Sequence, residues 1–152
     1  MANTQSMCTS FMGELLTGTH NFTASTGDTF KAALYLASAT MNASTTAYTS
    51  TGEVTGTGYT PGGISVTNGV SPASSNTSAT AGVAYWTPSA SLTYTSVTLT
   101  TAFDAVLIYN SSKSDKAVSV HTFGSQTVTA GTFTLTMPSN TTSTALIRLA
   151  TT

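Results

Sequence analysis

The chain has 152 residues, a formal net charge of −1 and only 6% charged residues, against ~25% in a typical soluble domain. Its four cations are Lys31, Lys113, Lys116 and Arg148, and only Lys113 and Lys116 lie close in sequence. That excludes a nucleic-acid surface, because neutralising several phosphates needs clustered Lys or Arg. No apolar run approaches the ~20 residues of a membrane-spanning helix, and the single cysteine, Cys8, allows no internal disulfide.

Thr (35 residues) and Ser (21 residues) take the place of Lys and Glu as solvating side chains. The composition is not that of a disordered chain. Thr is β-branched and favours strands, and Val, Ile, Tyr and Phe recur in phased runs, which disordered segments lack.

In chain order, a helix is expected over Thr4 to Thr17, since Met7, Phe11 and Leu15 recur at i, i+4 and i+8. Asn3 or Thr4 can cap its start, and Gly18 can end it in a left-handed conformation. Gly13 weakens it. Phe30 to Leu36 alternates as a strand. Thr45 to Val54 is a weak segment, and Gly56 to Gly63 (Gly-Thr-Gly-Tyr-Thr-Pro-Gly-Gly) is a dense turn cluster. Ile64 to Thr67 is a short strand ended by Asn68-Gly69. Val70 to Thr80 reads as a long surface loop. Ala81 to Thr87 and Ser91 to Thr100 read as strands, the second with a bulge between Tyr94 and Val97 where its apolar phase flips. Phe103 to Tyr109 is apolar on both faces, as a central covered strand is. It forms a hairpin with Lys116 to Phe123 through the polar turn Asn110 to Asp115. Gln126 to Thr129, Thr132 to Met137 and Thr144 to Ala150 are the last strands.

One short N-terminal helix followed by eight to ten short strands predicts an all-β fold, a single β-sandwich of jelly-roll or immunoglobulin-like order. Residues 1–19 form the helix or arm, and residues 20–152 the sandwich domain. The helix either covers an open end of its own sandwich or docks on a neighbouring subunit.

No constellation for chemistry emerges. There is no Gly-x-Ser-x-Gly elbow. Asp104 and His121 fall on adjacent strands of the expected hairpin, where a cross-strand polar pair is the ordinary explanation. Two isolated histidines and one cysteine make no zinc site, and the five carboxylates have no calcium-loop spacing. Gly56-Thr57-Gly58 lacks the Gly-Lys-Ser/Thr ending of a phosphate loop. No catalytic residue, metal or cofactor is expected. Cys8 is expected as a buried, inert thiol.

A chain with an ordinary core and almost no surface charge suits a crowded assembly. Charges are depleted at interface centres, and neutral hydroxyl surfaces lose less hydration on contact. Three stretches resemble small Thr-rich structural proteins of tailed-bacteriophage virions: Gly56 to Gly63, Ala102 to Ser111 (Ala-Phe-Asp-Ala-Val-Leu-Ile-Tyr-Asn-Ser) and Ala117 to Pro138. The start, Met-Ala-Asn-Thr-Gln followed by Phe11 and Leu15-Leu16, is similar too. The resemblance implies a non-enzymatic virion protein, assembled in the host cytoplasm, and carries over no catalytic residue.

The expectation is therefore a capsid decoration (cement) protein that binds and stabilises the major capsid protein shell as a homotrimer. Met7, Phe11 and Leu15 are the candidate capsid or inter-subunit contact. The turn Asn110 to Lys116 and the loop Val70 to Thr80 are expected to face solvent. The same composition suits a head–tail, portal-associated or tail component such as a fibre base or adaptor. A carbohydrate-binding or adhesive sandwich would stack sugars on Tyr59, Tyr85 or Trp86. An enzyme would need a polar cleft joining His121 to a carboxylate.

Overall fold

A long antiparallel hairpin dominates the chain. The computed structural model describes residues 2–76 and 82–151. Its elements are β1 (Ser6–Met7), α1 (Thr9–Leu16), β2 (Phe30–Leu36), β3 (Ile64–Ser65), β4 (Ala73–Ser75), β5 (Val83–Trp86), β6 (Leu92–Asn110), β7 (Lys116–Leu135) and β8 (Ile147–Ala150). They form two antiparallel sheets, one in the order β1-β7-β6-β2-β3 and a smaller one in the order β4-β5-β8. The fold is all-β with one short helix.

The central position of β6 follows from its apolar second half. Ala105, Val106, Leu107 and Ile108 are fully enclosed, flanked by β7 and by β2, with Leu34 opposite Val106. In β2, Ala32, Ala33, Leu34 and Tyr35 are likewise fully buried. Lys31 there is half-buried, so the alternation seen in the sequence hides a strand covered on both faces. Trp86 brings the small sheet onto this core. Its ring meets Phe22 at 4.8 Å and Phe30 at 6.0 Å, and its Nε1 donates to the Val70 carbonyl at 3.0 Å.

The hairpin is bent by bulges. The register of β6 on β7 shifts between Tyr94 and Val97, where Ser96 has φ 54°. Gly124 and Ala130, with φ 78° and 46°, turn β7 without ending it. The segments expected as separate strands at Ser91 to Thr100 and Phe103 to Tyr109 are therefore one strand, β6. Lys116 to Phe123, Gln126 to Thr129 and Thr132 to Met137 similarly merge into β7.

The turn cluster lies directly on the large sheet. A Cβ on Gly63, which has φ +71°, would stand 1.7 Å from the Ala32 carbonyl oxygen, and one on Gly56 would stand 2.1 Å from that of Thr98. Close backbone approach therefore accounts for these glycines. Thr98 also donates its N–H to the Thr57 carbonyl at 2.9 Å.

The N-terminal segment departs from expectation. The helix begins at Thr9, not Thr4. Ser6 and Met7 instead pair with Val120 and Ser119 on β7, because the edge of β7 offers two residues' worth of ladder that a frayed first helical turn cannot match. Asn3 caps nothing. Its side chain donates to the Leu36 carbonyl and to Asp104, and accepts from the Met41 N–H. The expected boundary at residue 19 marks no break, since Thr4, Cys8 and Thr9 donate backbone hydrogen bonds to Met41, Val118 and Ala43. Gly18 does end the helix, with φ 67° and its N–H on the Leu15 carbonyl. The expected loop Val70 to Thr80 contains β4, and its residues 77–80 lie outside the described residues, as does Ala81.

Candidate functional site

The nine charged residues are distributed so as to leave the surface nearly neutral. Only Lys113, Asp115 and Arg148 are exposed, two of them on the turn between β6 and β7. Of the rest, Glu14, Asp28 and Lys116 belong to one internal network, Glu53 centres a second, Asp104 is held by Asn3, and Lys31 is half-buried in β2.

The first network joins α1, the loop before β2 and the β6–β7 turn. His20, whose side chain is fully buried, places Nε2 2.7 Å from Glu14 Oε2. Its Nδ1 lies 2.9 Å from the Asn110 amide nitrogen, which also donates to Asp28 Oδ2 at 2.8 Å. Lys116 Nζ donates to Glu14 Oε1, and Lys113 Nζ stands 3.7 Å from Asp28. Burial works to raise the Glu14 pKa, but Lys116 and His20 outweigh it and hold the carboxyl below its ordinary value. Asp28 is also held low: burial is opposed by the Asn21 N–H, the Asn110 amide, Lys113 and His20. Asn110 and Lys116, expected to face solvent, are instead tied inward, Asn110 being fully buried. The exposed part of the turn is Ser112 to Asp115.

The second network centres on Glu53, which is only 6% exposed. Its Oε1 accepts from the Tyr59 hydroxyl at 2.7 Å and the Gly62 N–H at 2.8 Å, and its Oε2 accepts from the Tyr48 hydroxyl at 2.7 Å. Tyr59 in turn accepts from the Leu34 N–H at 3.0 Å. A buried carboxylate thus pins the turn cluster to β2. It is a fastener, with each oxygen already occupied.

The residues singled out for chemistry do not converge. Asp104 is engaged by Asn3 at 2.6 Å. His121 stands opposite Val106 and bonds Ser119 Oγ at 2.8 Å; burial pushes its pKa down to about 4. Cys8 is fully buried, and burial followed by the Glu14 charge pushes its thiol up to about 11. No group of three or more potential metal ligands occurs among the described residues. Of the three aromatics named for sugar stacking, Trp86 and Tyr59 are enclosed at 2% and 9% exposure. The face needed for stacking is therefore already covered by protein, and only Tyr85 is half-exposed.

One part of the surface is apolar. A slot of about 90 Å³ opens between α1 and the small sheet, lined by Phe11, Leu15, Phe22, Tyr85, Trp86 and Leu149 among others. Phe11 is completely buried, so it supports the slot from beneath and has no surface of its own to offer. Leu15 is half-buried at its wall. Met7 is half-buried in β1, away from the helix face expected for it. The large apolar side chains that are exposed are Leu16 at 90%, Met12 at 45%, Leu149 at 43% and Val70 at 39%, and of these Leu149 lines the slot. Met12 and Leu16 are one turn apart on α1. The sequence pattern pointed to Phe11 and Leu15, the buried stripe; Met12 and Leu16 lie off that stripe. No family model, curated protein or solved structure matches this chain.

Proposed function

We propose that this chain is a non-enzymatic structural protein of a tailed-bacteriophage virion, a decoration protein that attaches to the outer face of the major capsid protein shell and stabilises it. Its two sheets serve as the layers of a β-sandwich, a reading supported by Trp86 of the small sheet packing on Phe22 and Phe30. The observation that carries the assignment is the exposed apolar pair Met12 and Leu16 on α1, Leu16 being 90% exposed, on a surface with three exposed charges. A freely diffusing protein is poorly served by such a surface, because low charge and exposed apolar groups favour association. A protein captured by a lattice uses it, and repeated weak contacts gain from avidity.

Burying one leucine contributes about 1.5–3 kcal/mol, so Leu16 is the side chain to remove. Leu16→Ser and Met12→Ser are expected to leave the fold intact and to lower occupancy on shells stripped of decoration by about tenfold or more. Undiminished occupancy in both variants would overturn the assignment of this face as the attachment surface.

A further inference from the structure

We propose that the outer edge of β7, over Gly131–Leu135, pairs antiparallel with the same segment of a second copy of this chain, giving a two-fold dimer. The large sheet ends at this edge. β1 covers β7 only at Ser119 and Val120, and among the described residues no strand pairs with its outer side beyond that point. Alternate residues of an edge strand direct N–H and C=O groups outward.

Two independent features mark this edge as one meant to be covered. The first is the absence of guards. Natural edge strands carry Lys, Pro or inward charge to prevent pairing, yet Thr122 to Thr136 contains no charged residue and no proline. The bulges at Gly124 and Ala130 interrupt the upstream part. Downstream, Phe133, Thr134 and Leu135 run in unbroken register against Tyr94, Thr93 and Leu92.

The second feature is a step in burial across the last rungs. Leu92, Tyr94 and Leu99 on β6 are 1–3% exposed, while their partners Leu135, Phe133 and Val128 on β7 are only partly buried. The apolar face stops one strand short of closure.

The occupant follows from charge and symmetry. Antiparallel self-pairing about Phe133 sets Phe133 against itself, Thr132 against Thr134 and Gly131 against Leu135, with no charge on either strand to repel. A two-fold axis near Phe133 makes the contact isologous, so it closes at two copies. The expected oligomer is then a dimer in place of the trimer expected from the sequence. The inference does not depend on the virion assignment, because it concerns the isolated protein. Five residues of edge bury less than the ~800 Å² per partner of a standard interface, so dimerisation is expected only near about 0.1 mM.

The test is sedimentation of the full chain up to about 1 mM, beside Thr132→Lys/Thr134→Lys and a control pair, Thr51→Lys/Thr60→Lys. All four threonines are exposed, and both pairs add the same charge. The expected result is a concentration-dependent dimer, weakened at least about tenfold by the edge pair and unchanged by the control pair. Amide exchange at 131–135 is expected to slow as concentration rises. A monomer throughout, a trimer, or a dimer indifferent to the edge lysines would overturn the proposal. So would amide exchange at 131–135 that does not depend on concentration.

Discussion

His20 and Glu14 meet at 2.7 Å, Nε2 to Oε2, with the imidazole fully buried. Because the Asn110 amide nitrogen can only donate, His20 Nδ1 is the acceptor and Nε2 carries the hydrogen given to Glu14. The pair fixes α1 to the end of β6, and Lys116 and Asp28 complete the tie. Most of the charge in this chain is spent on joining elements distant in sequence.

Acid stability follows from that tie. Glu14 and Asp28 are both held below their ordinary pKa. Each contributes stability that is present above its unfolded value, near 4, and is lost as pH falls through its folded value. Denaturant unfolding between about pH 8 and pH 2 is expected to show stability falling first below about pH 6.5, because His121 stays neutral in the fold down to about pH 4 while its unfolded imidazole protonates, and falling further below about pH 5 as Glu14 and Asp28 are protonated. Glu14→Gln is expected to cost about 1–3 kcal/mol at neutral pH and to shallow the acid decline. A decline of unchanged steepness in this variant would contradict the role given to Glu14.

Alkaline behaviour follows from the second network. Burial, then the hydrogen bond to Glu53, pushes Tyr48 up to about 12. Burial is also the main cause of the raised values of Tyr35, Tyr59, Tyr94 and Tyr109. Groups raised in the folded state leave stability intact below the unfolded value near 10 and remove it as pH rises further. Phenolate absorbance from these five residues is therefore expected to grow together with loss of circular dichroism. Their ionisation near pH 10 in a folded chain would contradict the burial described. Glu53→Ala, which strands the Tyr59 hydroxyl and the Gly62 amide, is expected to cost about 3 kcal/mol.

Two glycines should respond oppositely. Gly63→Ala would place its methyl 1.7 Å from the Ala32 carbonyl oxygen at φ +71°, and is expected to cost about 3 kcal/mol or more. Gly13 lies inside α1, where an added Cβ would meet nothing within 4 Å, so Gly13→Ala should add about 0.5–1 kcal/mol. Thermal melts of the two variants check both signs.

Cys8 should resist thiol reagents. Fully buried, with its pKa pushed up to about 11, it offers almost no thiolate at neutral pH. Reaction with an aromatic disulfide is expected only at the rate of unfolding. Rapid reaction in the native state would contradict its burial.

Local features were legible in the sequence because their causes are local. The Phe30 to Leu36 alternation, the bulge after Tyr94, the hairpin turn and the Gly18 stop all follow from neighbouring residues. Long-range ties were not legible. Glu14, His20, Asp28, Asn110 and Lys116 have no characteristic spacing, and only the fold brings them together. Met7 fits a helical stripe as well as it fits an edge strand, and the free edge of β7 decided between them. The continuity of β6 and β7 was hidden by Ser96, Gly124 and Ala130, which break alternation in sequence while bending strands that continue. The candidate site was half visible: Phe11 and Leu15 mark the helix's buried side, whereas Met12 and Leu16 become informative only once that side is seen to be covered.

The central claim is that this neutral, apolar-faced chain is built for a repeating shell. The measurement that tests it most directly is copy number per purified virion, by quantitative mass spectrometry against the major capsid protein. A simple lattice fraction is the predicted result. A few copies per particle would place the chain at the tail or portal instead, and absence from the virion would contradict the account.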